Sequence, residues 1–136
     1  MKKSLIVAFA TASAIPVTLW PLAGLAISAR RANSDLDFSI VAISIPVMFG
    51  LYNAATVLAR VPRTRMAMFL AGALLGLALA SIGLYVGIPQ RVYQLTAQTQ
   101  WLVLIGGPLF YGLVWAFALA PLERVIGVPA PSASPR

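Results

Sequence analysis

Apolar and polar positions in this chain fall into long blocks rather than a helical or strand period. Residues 5–29, 38–59, 66–88 and 101–122 form windows of 25, 22, 23 and 22 residues without a single Asp, Glu, Lys or Arg. A helix rises about 1.5 Å per residue, so each window is long enough to cross a hydrocarbon layer of roughly 30 Å. The pattern predicts an all-α integral membrane protein of four spans. The connections, residues 30–37, 60–65 and 89–100, are short, and short connections make consecutive helices antiparallel neighbours. The expected architecture is therefore an up-down-up-down four-helix bundle, a single membrane domain over residues 1–136. Residues 128–136 (VPAPSASPR) are proline- and serine-rich without an apolar face and read as a flexible tail.

Charge orients the bundle. An even number of spans puts the N-terminus, the second connection and the tail on one side. That side holds Lys2, Lys3, Arg60, Arg63, Arg65, Arg124 and Arg136, against Arg30, Arg31 and Arg91 on the other. The positive-inside rule then places both termini in the cytoplasm, in an inner (plasma) membrane of bacterial type. Lys2 and Lys3 before an apolar stretch also resemble a secretion signal. A signal's apolar region is only about 7–15 residues, however, so the 25-residue window is read as a retained span.

Composition narrows the chemistry. The chain is 60% hydrophobic with a mean hydropathy of +0.90, and its net charge of +7 lies at the edges of apolar windows, where it serves topology and lipid contact rather than nucleic acid. It has no cysteine and no histidine. That removes thiolate nucleophiles, Cys or His metal sites and the commonest general base, so neither a metal nor another cofactor is expected. The acids, Asp35, Asp37 and Glu123, all lie outside the windows, leaving no ionisable group for a proton-coupled carrier within the membrane. Small multidrug exporters depend on a carboxylate in the first span, and fluoride channels on a Gly-Thr-Phe break in the third. Neither feature is present.

Three patterns remain inside the windows. Small residues recur at helical spacing, with Gly72, Gly76, Ala80, Gly83 and Gly87 in the third span and Ala42, Pro46, Gly50 and Ala54 in the second. Such stripes let backbones approach in a solvent as apolar as leucine, and they predict packing of span two on span three. Polar groups also fall at matched depth. Asn53, the only carboxamide in any window, lies level with Thr11, Gly72 and Trp115. An unpaired amide in hydrocarbon costs several kcal/mol, so Asn53 is expected to face inward and bond to Thr11, to Trp115 Nε1, or to a carbonyl freed by a proline. Finally, Gly106-Gly107-Pro108 precedes Tyr111 near mid-membrane, where a kink would expose carbonyls and the tyrosine hydroxyl to a cavity. Pro16, Pro21 and Pro46 are expected to bend their spans. With dense packing faces and no nucleophile-base pair, the sequence reads as a non-catalytic structural or accessory subunit. Its partners would be the lipid bilayer and either itself, as a homo-oligomer, or a larger membrane complex. The alternative is an oligomeric channel or carrier for a small neutral or weakly polar solute, using Asn53, Tyr111 and the proline kinks.

Overall fold

The structure is a computed structural model and describes residues 2–28, 35–91 and 95–127. The tail 128–136, Arg30 and Arg31 of the first connection, and Tyr93 of the third lie outside the described residues. The fold is all-helical: α1 (Lys2–Ser28), α2 (Asp35–Leu58), α3 (Arg65–Val86), a short α4 (Ile88–Arg91), and α5 (Trp101–Val114). From α5 the chain runs through a π-helical turn (Trp115–Leu119) directly into α6 (Ala120–Ile126). Two helical stretches, Arg65–Val86 and Trp101–Ile126, are long and apolar enough to cross a membrane. In α1 and α2 the described side chains cover shorter apolar stretches, Lys3–Val17 and Ile43–Leu58.

The prolines do not break their helices. α1 continues over Pro16 and Pro21, α2 over Pro46, and α5 over Pro108. The irregularity in the last long helix comes later, where the Ala120 N–H donates to the Trp115 carbonyl five residues back. Such a turn holds one residue more than a helical turn and rotates everything after it by roughly 100°. α6 emerges with Ala120 and Glu123 turned inward.

Local chemistry sets the ends. α2 closes with Arg60 at φ 55°, its N–H bonded to the Val57 carbonyl (3.1 Å) and the Val61 N–H to Thr56 (2.9 Å). This paired closure needs a left-handed residue and is usually served by glycine. It reverses the chain within six residues. Thr64 then caps α3, accepting from the Ala67 N–H at 3.3 Å. α3 ends on Gly87 (φ 78°), which bonds back to Leu84 and Gly83. Gly87 thus serves as the helix cap.

The close backbone pairs are α1 with α2 and α3 with α5. In the first, a Cβ on Gly50 would lie 2.6 Å from the Phe9 ring. In the second, a Cβ on Gly76 would meet the Gly107 carbonyl oxygen at 2.6 Å, and one on Gly72 would meet the Trp115 Cβ at 2.6 Å. Gly107 in turn faces Ala80. The contacts run in opposite directions along each pair, Gly72 with Tyr111 and Trp115 but Gly76 with Gly107 and Pro108. This corrects the expected pairing: the small-residue stripe of α3 serves α5, and Gly50 of α2 serves α1. A stripe specifies that a backbone comes close without saying whose. Gly83, expected to continue the groove, would have nothing within 4 Å of a Cβ.

Between the two pairs the filling is aromatic. Phe49 stacks at a tilt on Tyr111 (5.2 Å) and Trp115 (4.9 Å), and Tyr52 meets Trp115 edge-on at 6.0 Å. The Tyr52 hydroxyl donates to the Ala71 carbonyl of α3 at 2.9 Å. Trp115, Met68 and Leu119 are fully buried in the same core.

Candidate functional site

The site is a buried polar cluster at the end where α1 and α3 begin and where α2 and α6 finish. Asn53 stands at its centre with no exposure. Its Nδ2 donates to the Ala8 carbonyl of α1 at 2.9 Å and to Glu123 Oε1 of α6 at 2.7 Å. Its Oδ1 accepts from Thr56 Oγ1 at 3.2 Å and Arg63 Nη1 at 3.5 Å. Thr56, one turn on along α2, also donates to the Asn53 carbonyl and accepts from Arg63 Nη1.

Arg63 reaches this point because the Arg60 reversal and Pro62 fold the connection back under α2. Its Nη1 lies 3.4 Å from Glu123 Oε2 and 3.1 Å from Met68 Sδ, and both charged side chains are more than nine-tenths buried. Burial pulls the guanidinium below its usual pKa, and the facing carboxylate of Glu123 opposes that shift. Removing two charges from water is costly, and the cost is repaid only where the remaining donors and acceptors are matched. Here the match is close but incomplete. Arg63 Nη2 has no hydrogen-bond partner, and Glu123 Oε2 is within ion-pair reach without an aligned bond.

Arg63 and Glu123 were not among the residues singled out in the sequence. Its place one residue beyond the last apolar window makes Glu123 read as an exterior acid, and the structure corrects this: the carboxylate is buried, an inward ionisable group outside the apolar windows. The helix does not stop with the window but continues to Ile126, with Glu123 on its inner face. The signal was present in composition: a lone acid on a basic side, opposite the only carboxamide of the windows.

The expected partners of Asn53 are also corrected. Thr11 is buried but donates to Val7 of its own helix at 2.8 Å. Trp115 Nε1 is buried without a hydrogen-bond partner. The carbonyl that Asn53 uses, Ala8, is not one released by a proline, since Pro16 releases that of Ala12. Gly72 and Trp115 are brought together as depth-matching suggested, in the core beside the cluster.

Tyr111 lies elsewhere, on a half-open cleft of about 390 Å³ lined by Ile45, Met48, Gly76, Leu79, Gly107 and Val103 among others. The glycine–proline segment does border a cavity, but a mostly apolar one. Among the described residues no group of three or more His, Cys, Asp or Glu side chains could hold a metal ion. No protein family, curated protein or solved structure matches the chain, so the function is read from this chemistry.

Proposed function

We propose that the chain is a four-span integral membrane protein, an up-down-up-down bundle with both termini cytoplasmic. We propose further that it serves as a non-catalytic structural or accessory subunit, packing with itself or with a larger complex of the inner membrane. The observation that carries the reading is the inversion of polarity. Asn53, Thr56, Arg63 and Glu123 are turned inward and bonded to one another, whereas large apolar side chains such as Leu74 (61% exposed) and Ile105 (70%) cover the outside. Such an exterior suits hydrocarbon or another apolar helix. A carboxylate held by an amide and a guanidinium, and no part of the Tyr111 cleft, is a fastener between helices rather than a reacting group.

The test is affinity purification from membranes in mild detergent, followed by mass spectrometry and a mass measurement of the particle. A stoichiometric membrane partner or a defined homo-oligomer is the expected result. A lone monomer would remove the accessory role.

The cleft favours a second reading, a carrier for a small apolar or weakly polar solute, because it runs beside Gly107 and Tyr111 where α2 stands away from α3 and α5. Its check is solute flux into vesicles reconstituted with the pure protein. Flux abolished by Val103→Trp, which would fill the cleft without touching the polar cluster, would favour the carrier.

A further inference from the structure

The end of the molecule that holds the polar cluster has one described acid, and it is already spent. Glu123 is buried against Arg63 and Asn53, and this is the one ion pair among the described residues. The other described cations of that end, Lys3, Arg60, Arg65 and Arg124, are exposed and have no carboxylate to meet. Among the described residues, folding has thus left the exposed rim of that end with cations alone.

Two of these cations converge on one seam. Arg65 opens α3 with its guanidinium carbon 5.8 Å from the centre of the Phe117 ring, within cation–π range. Arg124 reaches across from α6, its Nη2 donating to the Arg63 carbonyl at 3.4 Å, two residues before Arg65. Phe117 is 61% exposed, and Leu113, one turn earlier on the same helix, is also exposed. Arg65 rests on the exposed Phe117 ring, and Arg124 reaches the chain two residues before Arg65, so both forks belong to the rim beside exposed apolar side chains. Guanidinium groups match phosphate oxygens two at a time, and one resting on a ring keeps its N–H edge for an acceptor.

We propose that this seam binds an anionic phospholipid, with the phosphodiester between Arg65 and Arg124 and an acyl chain along Phe117 and Leu113. The apolar track selects a lipid over free phosphate. The proposal rests on the membrane reading above. Basic clusters beside a span attract anionic head groups by about 1 kcal/mol per charge, which is roughly fivefold in affinity.

Native mass spectrometry in neutral detergent would compare phosphatidylglycerol with phosphatidylcholine of matched chains. The wild-type protein should retain phosphatidylglycerol preferentially. Arg65→Gln and Arg124→Gln should each lower that preference about fivefold, while the double Arg65→Lys, Arg124→Lys variant, which keeps both charges but loses the forks, should fall between the wild type and Arg65→Gln/Arg124→Gln. Excess inorganic phosphate should not compete. Equal retention of the two lipids, a preference unchanged in Arg65→Gln/Arg124→Gln, or displacement by phosphate alone would each overturn the proposal. A carbonate wash of the starting membranes separates the two levels. Release of the protein into the wash would overturn the membrane reading and the lipid site together, whereas a retained protein without lipid preference would overturn the lipid site alone.

Discussion

Asn53 bonds to Ala8, Thr56, Arg63 and Glu123 and so ties three helices and a connection together. As neutral interhelical glue its amide would be worth around 1 kcal/mol, but one of its partners is a buried carboxylate at 2.7 Å. Bonds to charged groups are worth about 1.5–3 kcal/mol, and the group left behind bears its full desolvation cost. Asn53→Leu should therefore lower stability by about 2–3 kcal/mol, measured as unfolding in detergent. A loss below 1 kcal/mol would mean that Glu123 finds another donor. The Arg63–Glu123 pair makes a sharper case. Removing one partner leaves an uncompensated buried charge, so Arg63→Met or Glu123→Leu alone should cost about 3–5 kcal/mol. The double variant should cost less than either single change, because no buried charge remains, and should keep only the loss of the Asn53 N–H bond to Glu123. Additive losses in the double variant would show that the two charges do not act as a pair.

Among the elements, α3 shows how little a glycine means without its neighbour. A Cβ on Gly76 would strike backbone, the Gly107 carbonyl oxygen at 2.6 Å and the Pro108 Cα at 2.9 Å, and neither can swing aside. Gly76→Ala should lower the melting temperature, and Gly76→Leu should do so far more than truncation of the half-exposed Leu77 to Ala. Gly83 has open space around it, so Gly83→Ala should stabilise the helix by up to about 1 kcal/mol through propensity alone. Equal melting temperatures for the two alanine variants would mean that α3 and α5 are not in contact at Gly76. The π-helical turn gives a second comparison. Deleting the exposed Ala118 should relax the wide turn to an ordinary one and leave Glu123 facing Arg63. Deleting the equally exposed Ala78 from regular α3 should rotate residues 79–86 by about 100° and unfold the pairing with α5. Thermal unfolding of the two deletions checks the difference, and equal damage would argue against a dispensable extra residue.

At the scale of the whole molecule, the polar cluster and the aromatic layer join the two helix pairs at one end, because Asn53 bonds to α1 and α6 while Arg63 comes from the connection to α3. If this end is cytoplasmic, as the basic asymmetry indicates, an alkaline-phosphatase fusion after residue 136 should be inactive and a fluorescent-protein fusion there should be bright. An active phosphatase would reverse the orientation or change the number of spans.

Much of this was legible without coordinates. Block-wise hydropathy gives helices and their limits to within a few residues, because a span must satisfy its own backbone bonds over a fixed length. The inward orientation of Asn53 follows from the cost of an unpaired amide in an apolar medium. The partners did not follow. Small-residue spacing is a property of one helix, so that α3 packs on α5 and Gly50 on α1 emerged only when the second surface was present. The Arg63–Glu123 pair lies 60 residues apart in the chain, and it forms because a left-handed turn at Arg60 folds one side chain back while a π-helical turn rotates the other inward. Both departures sit beside a proline, Pro62 two residues after Arg60 and Pro121 just after the π-helical turn, which marks an interruption without saying which side chains it turns inward. The sequence determined which residues must avoid the surface, and the tertiary structure decided which of them meet.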